Sequence, residues 1–141
     1  VEQPFIKVAF YSNYEDAKVS SMYHVVPEEM ALMQEAMDWV AENWGDKIEI
    51  FRACPRIVDL HAKGCSKLRS ARDLQKYLGK KILVCVGDSW NDVPMLDGAD
   101  FAFCPGDAII RDRFENVCNC AEGAVADVIY KKIPEILGII T

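Results

Sequence analysis

The stretch KILVCVGDSWNDVPML, residues 81–96, places polar side chains directly behind an apolar run. Asp88 and Ser89 end the run, and Asn91 and Asp92 follow shortly after. Ligands of open α/β sheets bind beyond the carboxyl ends of the strands. Two carboxylates and an amide offer the oxygen ligands that Mg²⁺ prefers. The spacing therefore indicates a metal or catalytic site, and the alternative is that Asp88 and Ser89 only cap the following helix.

The second half of the chain alternates predicted strands and helices around this stretch. The continuous apolar run 81–86 is typical of a parallel strand that is covered on both faces. The other predicted strands are 100–104 and 116–120, and the predicted helices are 67–78, 91–96, 109–115 and 123–137. This alternation predicts a doubly wound α/β half-domain with a parallel sheet over residues 61–141.

The first sixty residues have a different pattern. Alternating apolar residues predict strands over 5–12, 47–53 and 56–62. A proline in the first turn followed by two acids predicts a helix that begins at Pro27, and Gly45 ends it. We therefore predict an α+β unit over residues 1–60, with a boundary near residue 60.

Three segments resemble motifs of the haloacid dehalogenase (HAD) phosphatase superfamily. VGDSWNDVPML is similar to the fourth motif, and GCSKLRSARDLQKYLG resembles the third, a Ser-Lys at a helix start. The segment AEGAVADVI resembles the tail of Cof-type, subclass IIB members. The resemblance implies a HAD-like (Rossmann-like) half-domain over residues 61–141, preceded by part of an α+β cap over residues 1–60.

The resemblance also implies roles for the polar residues. Asp88 would be a Mg²⁺ ligand, and Asp92 would be a second ligand or a group that orients the waters of the metal. Lys67 would stabilise the phosphate and the nucleophile. Asn91 would hydrogen-bond near the phosphate or the nucleophile, and Ser89 would shape the loop that binds the substrate.

A substrate contact is also predicted outside the motifs. Arg52 flanks the Cys54-Pro55 turn in the predicted cap, and arginine suits an anionic substrate. A solvated or structural role for Arg52 is the alternative. Two positions depart from the family pattern: Leu68 stands where glycine is common, and Gly106-Asp107-Ala108 stands where an Asn-Ala pair is common.

The nucleophile of the family, the first aspartate of a DxD after an apolar strand, has no counterpart in these 141 residues. We therefore expect the chain to be the carboxyl-terminal portion of a Mg²⁺-dependent phosphatase, inactive alone, that acts on a small phosphorylated metabolite through an aspartyl-phosphate. Phosphoryl transfer instead of hydrolysis stays open. The alternative function is a non-catalytic half-domain that binds a partner chain or a phosphate ligand.

Composition restricts the partners. The chain has 16 Lys and Arg against 22 Asp and Glu, a net charge of −6, which argues against binding to nucleic acid. No apolar run reaches the roughly 18 residues of a membrane span. Six cysteines without a CxxC pair predict reduced thiols and a cytoplasmic location. An exposed edge of the half-sheet predicts self-association.

Overall fold

The computed structural model describes residues 7–12 and 26–138. The chain divides into two compact units, Val1–Ser66 and Lys67–Thr141, whereas the sequence predicts a boundary near residue 60. The elements of the first unit are β1 (Lys7–Tyr11), α1 (Pro27–Trp44), β2 (Ile48–Cys54) and β3 (Ile57–Ala62). Those of the second are α2 (Lys67–Tyr77), β4 (Val84–Val86), α3 (Val93–Asp97), β5 (Phe101–Pro105), β6 (Glu115–Val117), α4 (Ala124–Asp127) and α5 (Ile133–Ile136).

The described part of the first unit is an antiparallel sheet with one helix. The strand order is β1-β3-β2, and Asp59 in the central strand lies opposite Ala9 and Phe51. Pro27 begins α1 because its fixed φ and missing N–H suit the first helical turn. The predicted strands and helix are thus confirmed for the described residues, while residues 5 and 6 of the first strand lie outside them.

The second unit is a parallel three-stranded sheet in the order β4-β5-β6. Its buried cluster consists of Cys85 and Cys104 from neighbouring strands together with Leu96, Ala108 and Ile110. Within the described chain, β4 and β6 each pair along one edge only. The predicted α/β half-domain with a parallel sheet is confirmed, whereas self-association through a free edge stays a prediction.

Three local predictions need correction. The strand predicted over 81–86 is ordered as a strand only at Val84–Val86, and the one predicted over 116–120 ends at Val117. The helix predicted over 109–115 is wrong, because the chain makes successive turns there before β6. Ile110 is only 3% exposed, so burial of this side chain takes precedence over continued helical periodicity.

The helix predicted over 123–137 is present as α4 and α5, joined by the wider π turn Val128–Lys132. Pro134 explains the wider turn, because proline lacks an N–H and its ring crowds the preceding turn. Among the described residues, no helix is both long and apolar enough to cross a membrane. All six cysteines are free thiols.

Candidate active site

The loop after β4 is held by its own polar groups. Ser89 and Asp92 form a capping box, in which each side chain accepts the backbone N–H of the other. The second carboxylate oxygen of Asp92, Oδ2, accepts the amides of Asp88 (3.1 Å) and Ser89 (3.3 Å). Ser89 and Asp92 are each only 5% exposed. Ser89 therefore caps the turn Trp90–Asp92, as the alternative interpretation of the sequence predicts, and in this way it shapes the loop.

Gly87 is required by the close approach of Asp92. A Cβ atom at position 87 would lie 2.5 Å from the Asp92 Cβ and 2.9 Å from its Oδ2. Any side chain at position 87 would push the carboxylate away from the amides that it accepts. The glycine thus permits the compact loop rather than supplying chemistry.

Lys67, the first residue of α2, pairs with the other oxygen of Asp92, Oδ1. The lysine side chain is 51% exposed, whereas that of Asp92 is 7% exposed. Both oxygens of Asp92 are therefore occupied, one by the ammonium and one by two amides. In this arrangement Asp92 orients Lys67 and the loop, and the assignment of Asp92 as a metal ligand stays a prediction.

A cavity of about 350 Å³ lies at the carboxyl end of the sheet. Asp88 is the carboxylate among its lining residues, next to the ends of β4 and β5. The remaining lining comes from Cys120 and from the start of the last helical segment, Gly123 to Val125. Gly123 has a φ of +93°, a conformation that favours glycine. Asp88 thus lines a space large enough for a phosphate group and part of a substrate.

The described residues contain no group of three His, Cys, Asp or Glu side chains arranged to hold a metal. This does not conflict with a magnesium site, because Mg²⁺ is commonly bound through one or two carboxylates, with waters and phosphate oxygens completing the shell. Asp88 fits that donor set as a single carboxylate beside a cavity.

The two other predicted site residues, Asn91 and Arg52, lie in different units of the structure. Asn91 is partly buried in the 3₁₀ turn Trp90–Asp92. Arg52 belongs to the first unit, where its guanidinium donates to the carbonyl of Pro55 (3.2 Å) and to Oε1 of Gln34 (3.1 Å). Burial lowers the pKa of Arg52. These contacts give Arg52 a structural role in the described chain, and its contact with substrate stays a prediction.

Sequence reasoning missed the wall of the cavity formed by residues 120–125. Cys120 was grouped with ordinary thiols, and no spacing relates it to Asp88, 32 positions away. Cys120 is exposed, whereas Cys85 and Cys104 lie in the core, where burial raises the pKa of both thiols. One sequence feature is related to this wall: Gly106-Asp107 departs from the family pattern, and Asp107 accepts the Cys120 amide.

Comparisons with known proteins agree with the fold. The structure is similar to a haloacid dehalogenase-like hydrolase from B. subtilis, with a TM-score of 0.70 and 20% identity over 93% of this chain and 42% of that one. The subclass IIB sugar phosphatase BT4131 gives a TM-score of 0.60 and 24% identity over 76% of this chain and 41% of that one. The sucrose-phosphatase from Synechocystis sp. PCC6803, solved with sucrose and phosphate, gives 0.64 and 16% identity over 91% of this chain and 52% of that one.

The chain thus spans about half, or less, of the length of these solved structures. No curated protein matches it in sequence. The sequence profile of the haloacid dehalogenase-like hydrolases matches residues 4–129, which is most of the chain. Together with the parallel sheet and the loop after β4, this match shows that the chain belongs to the haloacid dehalogenase-like hydrolase family.

Proposed function

We propose that this chain contributes the metal-binding and charge-stabilising half of a Mg²⁺-dependent phosphatase site. One observation carries the proposal: Lys67 and the loop Gly87–Asp92 meet at the carboxyl end of β4, and Asp88 from that loop lines the adjacent cavity. Lysine and carboxylate side chains at such a point suit phosphoryl chemistry, which depends on positioning and on neutralising charge. The substrate class is a small phosphorylated metabolite, and the sugar phosphatases among the similar structures support it.

Each side chain has a distinct task in this proposal. Asp88 would hold Mg²⁺ and Lys67 would donate to a phosphate oxygen, while Asp92 keeps the ammonium in place through Oδ1. Mg²⁺, when bound, would neutralise phosphate charge. Asn91 lies on the same loop and would donate to the phosphate. A half-exposed ammonium with three donors can serve both Asp92 and an anion.

The attacking group is proposed to lie outside these 141 residues. The sequence contains no DxD, and none of its aspartates follows an apolar strand in the way that the nucleophile of the family does. The aspartyl-phosphate step would then need a carboxylate from another segment. We accordingly expect the chain alone to bind Mg²⁺ and phosphate without hydrolysing a phosphate monoester.

Mg²⁺ titration of the wild type and of Asp88→Asn tests the metal assignment. Asp88→Asn should weaken Mg²⁺ binding by at least about tenfold, since it removes a carboxylate ligand. Its stability without metal should stay the same or rise, because a charged group leaves the site. Asp97→Asn is the control, since Asp97 is exposed on α3 and pairs only loosely with Arg113 at 3.3 Å. Unchanged affinity in Asp88→Asn would show that the site assignment is wrong.

Thiol labelling provides a second test that needs no activity. With Mg²⁺ present, inorganic phosphate in the cavity should protect Cys120 from iodoacetamide, whereas Cys65, exposed in the first unit, should label at an unchanged rate. Equal labelling of Cys120 with and without phosphate would count against the cavity as the phosphate site.

Activity of the full protein separates the two candidate functions. Mg²⁺-dependent release of phosphate from p-nitrophenyl phosphate is expected for the phosphatase. Phosphate binding without any hydrolysis by the full protein would favour the alternative, a half-domain that binds a phosphate ligand or a partner chain.

A further inference from the structure

One wall of the cavity beside Asp88 is a loop that belongs to no strand. Residues 118–123 follow β6 and lead through a 3₁₀ turn, Cys120–Glu122, to Gly123 at the start of α4. Cys120 and Gly123 both line the cavity. The position of this loop therefore sets the shape of the cavity. Pairing of β6 with β5 positions the chain as far as Val117, and side-chain contacts hold the residues beyond it.

Two of these contacts are local. The Cys118 amide donates to Oδ2 of Asp127 at 3.4 Å, and the Asn119 amide donates to Oε2 of Glu122 at 3.0 Å. Both acceptors belong to the same stretch of chain as the loop itself. They can fix its internal shape but not its distance from the loop after β4.

The third contact comes from the turn that follows β5. The Cys120 amide donates to Oδ1 of Asp107 at 2.9 Å. Gly106, which precedes Asp107, also lies close to the end of β6, the neighbour of β5, and to the chain after it. A Cβ atom on Gly106 would lie 3.0 Å from Oδ1 of Asn119 and 3.3 Å from the Val117 carbonyl oxygen. A carboxylate that accepts a backbone N–H makes a short, charge-assisted hydrogen bond. This bond ties the wall of the cavity to the end of β5.

A simpler explanation for Asp107 is that aspartate favours turns in general. Such turn residues bind the backbone one or two residues further on. The partner of Asp107 is instead 13 positions away, so local turn preference does not account for the contact.

We infer that Asp107 is a positioning residue for the ligand of this cavity, because it holds Cys120, and with it the wall of residues 120–125, in place relative to Asp88. The inference rests on the proposed function, since the ligand is taken to be phosphate bound together with Mg²⁺. Asp107 touches Cys120 rather than the ligand. Its loss should therefore weaken ligand binding more than it slows the chemical step.

Three variants of the full protein test this role. Asp107→Ala removes the acceptor, Asp107→Asn keeps an oxygen that can accept the Cys120 amide, and Asp112→Ala removes a carboxylate that is 94% exposed and lies outside the cavity lining. The first readout is the concentration of inorganic phosphate, at saturating Mg²⁺, that halves the iodoacetamide labelling of Cys120. The second is the separate measurement of kcat and KM for p-nitrophenyl phosphate.

Asp107→Ala should raise both the half-protecting phosphate concentration and KM by about fivefold, as expected for the loss of one hydrogen bond, with kcat within about twofold of wild type. Asp107→Asn should restore most of the affinity, and Asp112→Ala should behave like wild type. Wild-type phosphate protection and KM in Asp107→Ala would overturn the inference. A fall in kcat at constant KM would overturn it as well.

Failure of the proposed function gives a different result. The wild type would then show no phosphate protection of Cys120 at all, and the inference would fall with it. If the wild type is protected while Asp107→Ala matches it, only the role of Asp107 is wrong.

Discussion

Arg56–Glu29 in the first compact unit and Lys67–Asp92 in the second are ion pairs with largely covered carboxylates, and they differ in how much of the cation is exposed. A third pair, Lys7–Asp59 in the first unit, resembles Lys67–Asp92, because its cation is 47% exposed and its carboxylate 6%. In the first unit, Arg56 binds Glu29 through two nitrogens, at 2.9 and 3.2 Å, and the two side chains are 14% and 12% exposed. In the second, Asp92 is 7% exposed but its partner Lys67 is 51% exposed. A pair that is largely covered on both sides joins elements, whereas an exposed cation can also meet a ligand where the topology provides a site.

The surroundings of the two pairs strengthen this difference. Arg56 and Glu29 connect α1 with the turn between β2 and β3. Lys67 and Asp92 connect the start of α2 with the loop at the carboxyl end of β4, where α/β sheets bind ligands. Because Lys7 and Asp59 have similar exposures within an antiparallel sheet, location in the topology, rather than exposure of the cation or burial of the acid, distinguishes a candidate site from a structural pair.

The largest expected effect is on activity at the second pair. Lys67→Met in the full protein should lower Mg²⁺-dependent hydrolysis of p-nitrophenyl phosphate by about 1,000-fold, because a fixed cation is lost from the developing phosphate charge. The fold should persist, since Asp92 keeps the two amide donors of the loop. If Lys67→Met keeps the wild-type kcat/KM, the Lys67–Asp92 pair is structural, like the Arg56–Glu29 pair.

The largest expected effect on stability is at the first pair. Arg56→Met should lower the free energy of unfolding by about 3 kcal/mol, because it removes the cation from the largely covered Glu29 carboxylate, which is 12% exposed. Arg111→Met is the control: its ion pair with Asp112 is exposed and spans 3.9 Å, so its change should stay within about 0.5 kcal/mol. Chemical denaturation followed by circular dichroism measures both, and equal losses would contradict the comparison.

A smaller effect on stability is expected from adding a methyl group at Gly87, between the end of β4 and Asp92 of the following loop. Gly87→Ala should lower the free energy of unfolding by about 2 kcal/mol, because the new methyl group overlaps the Asp92 side chain, which is held on both oxygens. Gly98→Ala is the matched variant. The Cβ there would meet the end of Leu68, a side chain that can rotate, so the loss should be smaller. The reverse order in denaturation curves would show that the loop around Asp92 is less rigid than its contacts indicate.

The smallest expected effect is on acid stability. The Leu83 amide and the Arg72 guanidinium hold the pKa of Asp100 below its ordinary value. A carboxylate with a lowered folded-state pKa stabilises the fold above its unfolded pKa, and that contribution is lost as pH falls through the lower, folded-state value. Asp100→Asn should therefore flatten the fall in stability below about pH 4. If the free energy of unfolding falls equally with pH in wild type and Asp100→Asn, Asp100 does not contribute to the acid sensitivity.

Much of the fold could be predicted because its signals are local. Pro27 and Gly45 mark the ends of α1 as predicted, and the alternating strands on either side of Pro55 pair as an antiparallel hairpin. Residues 109–115 could not be predicted in the same way. Ile110 enters the core and β6 pairs with β5 after a short connection, and neither constraint is visible locally.

The same limit applies to the candidate site. The motif residues Lys67, Asp88 and Asp92 follow from sequence, and the structure brings Lys67 and Asp92 into contact as an ion pair. Sequence spacing did not reveal that Asp92 would use both oxygens within the protein, one for Lys67 and one for the amides of Asp88 and Ser89.

The sequence by itself determined the alternation of strands and helices, the family and the identity of the charged residues at the end of β4, because each depends on short-range patterns or on a motif. Only the tertiary structure decided which carboxylate faces the cavity and that residues 120–125, held by Asp107, form its wall. The physical reason is that a parallel sheet brings together the carboxyl ends of strands that are far apart in the chain. Contacts between those ends are set by packing rather than by the spacing of residues along the sequence.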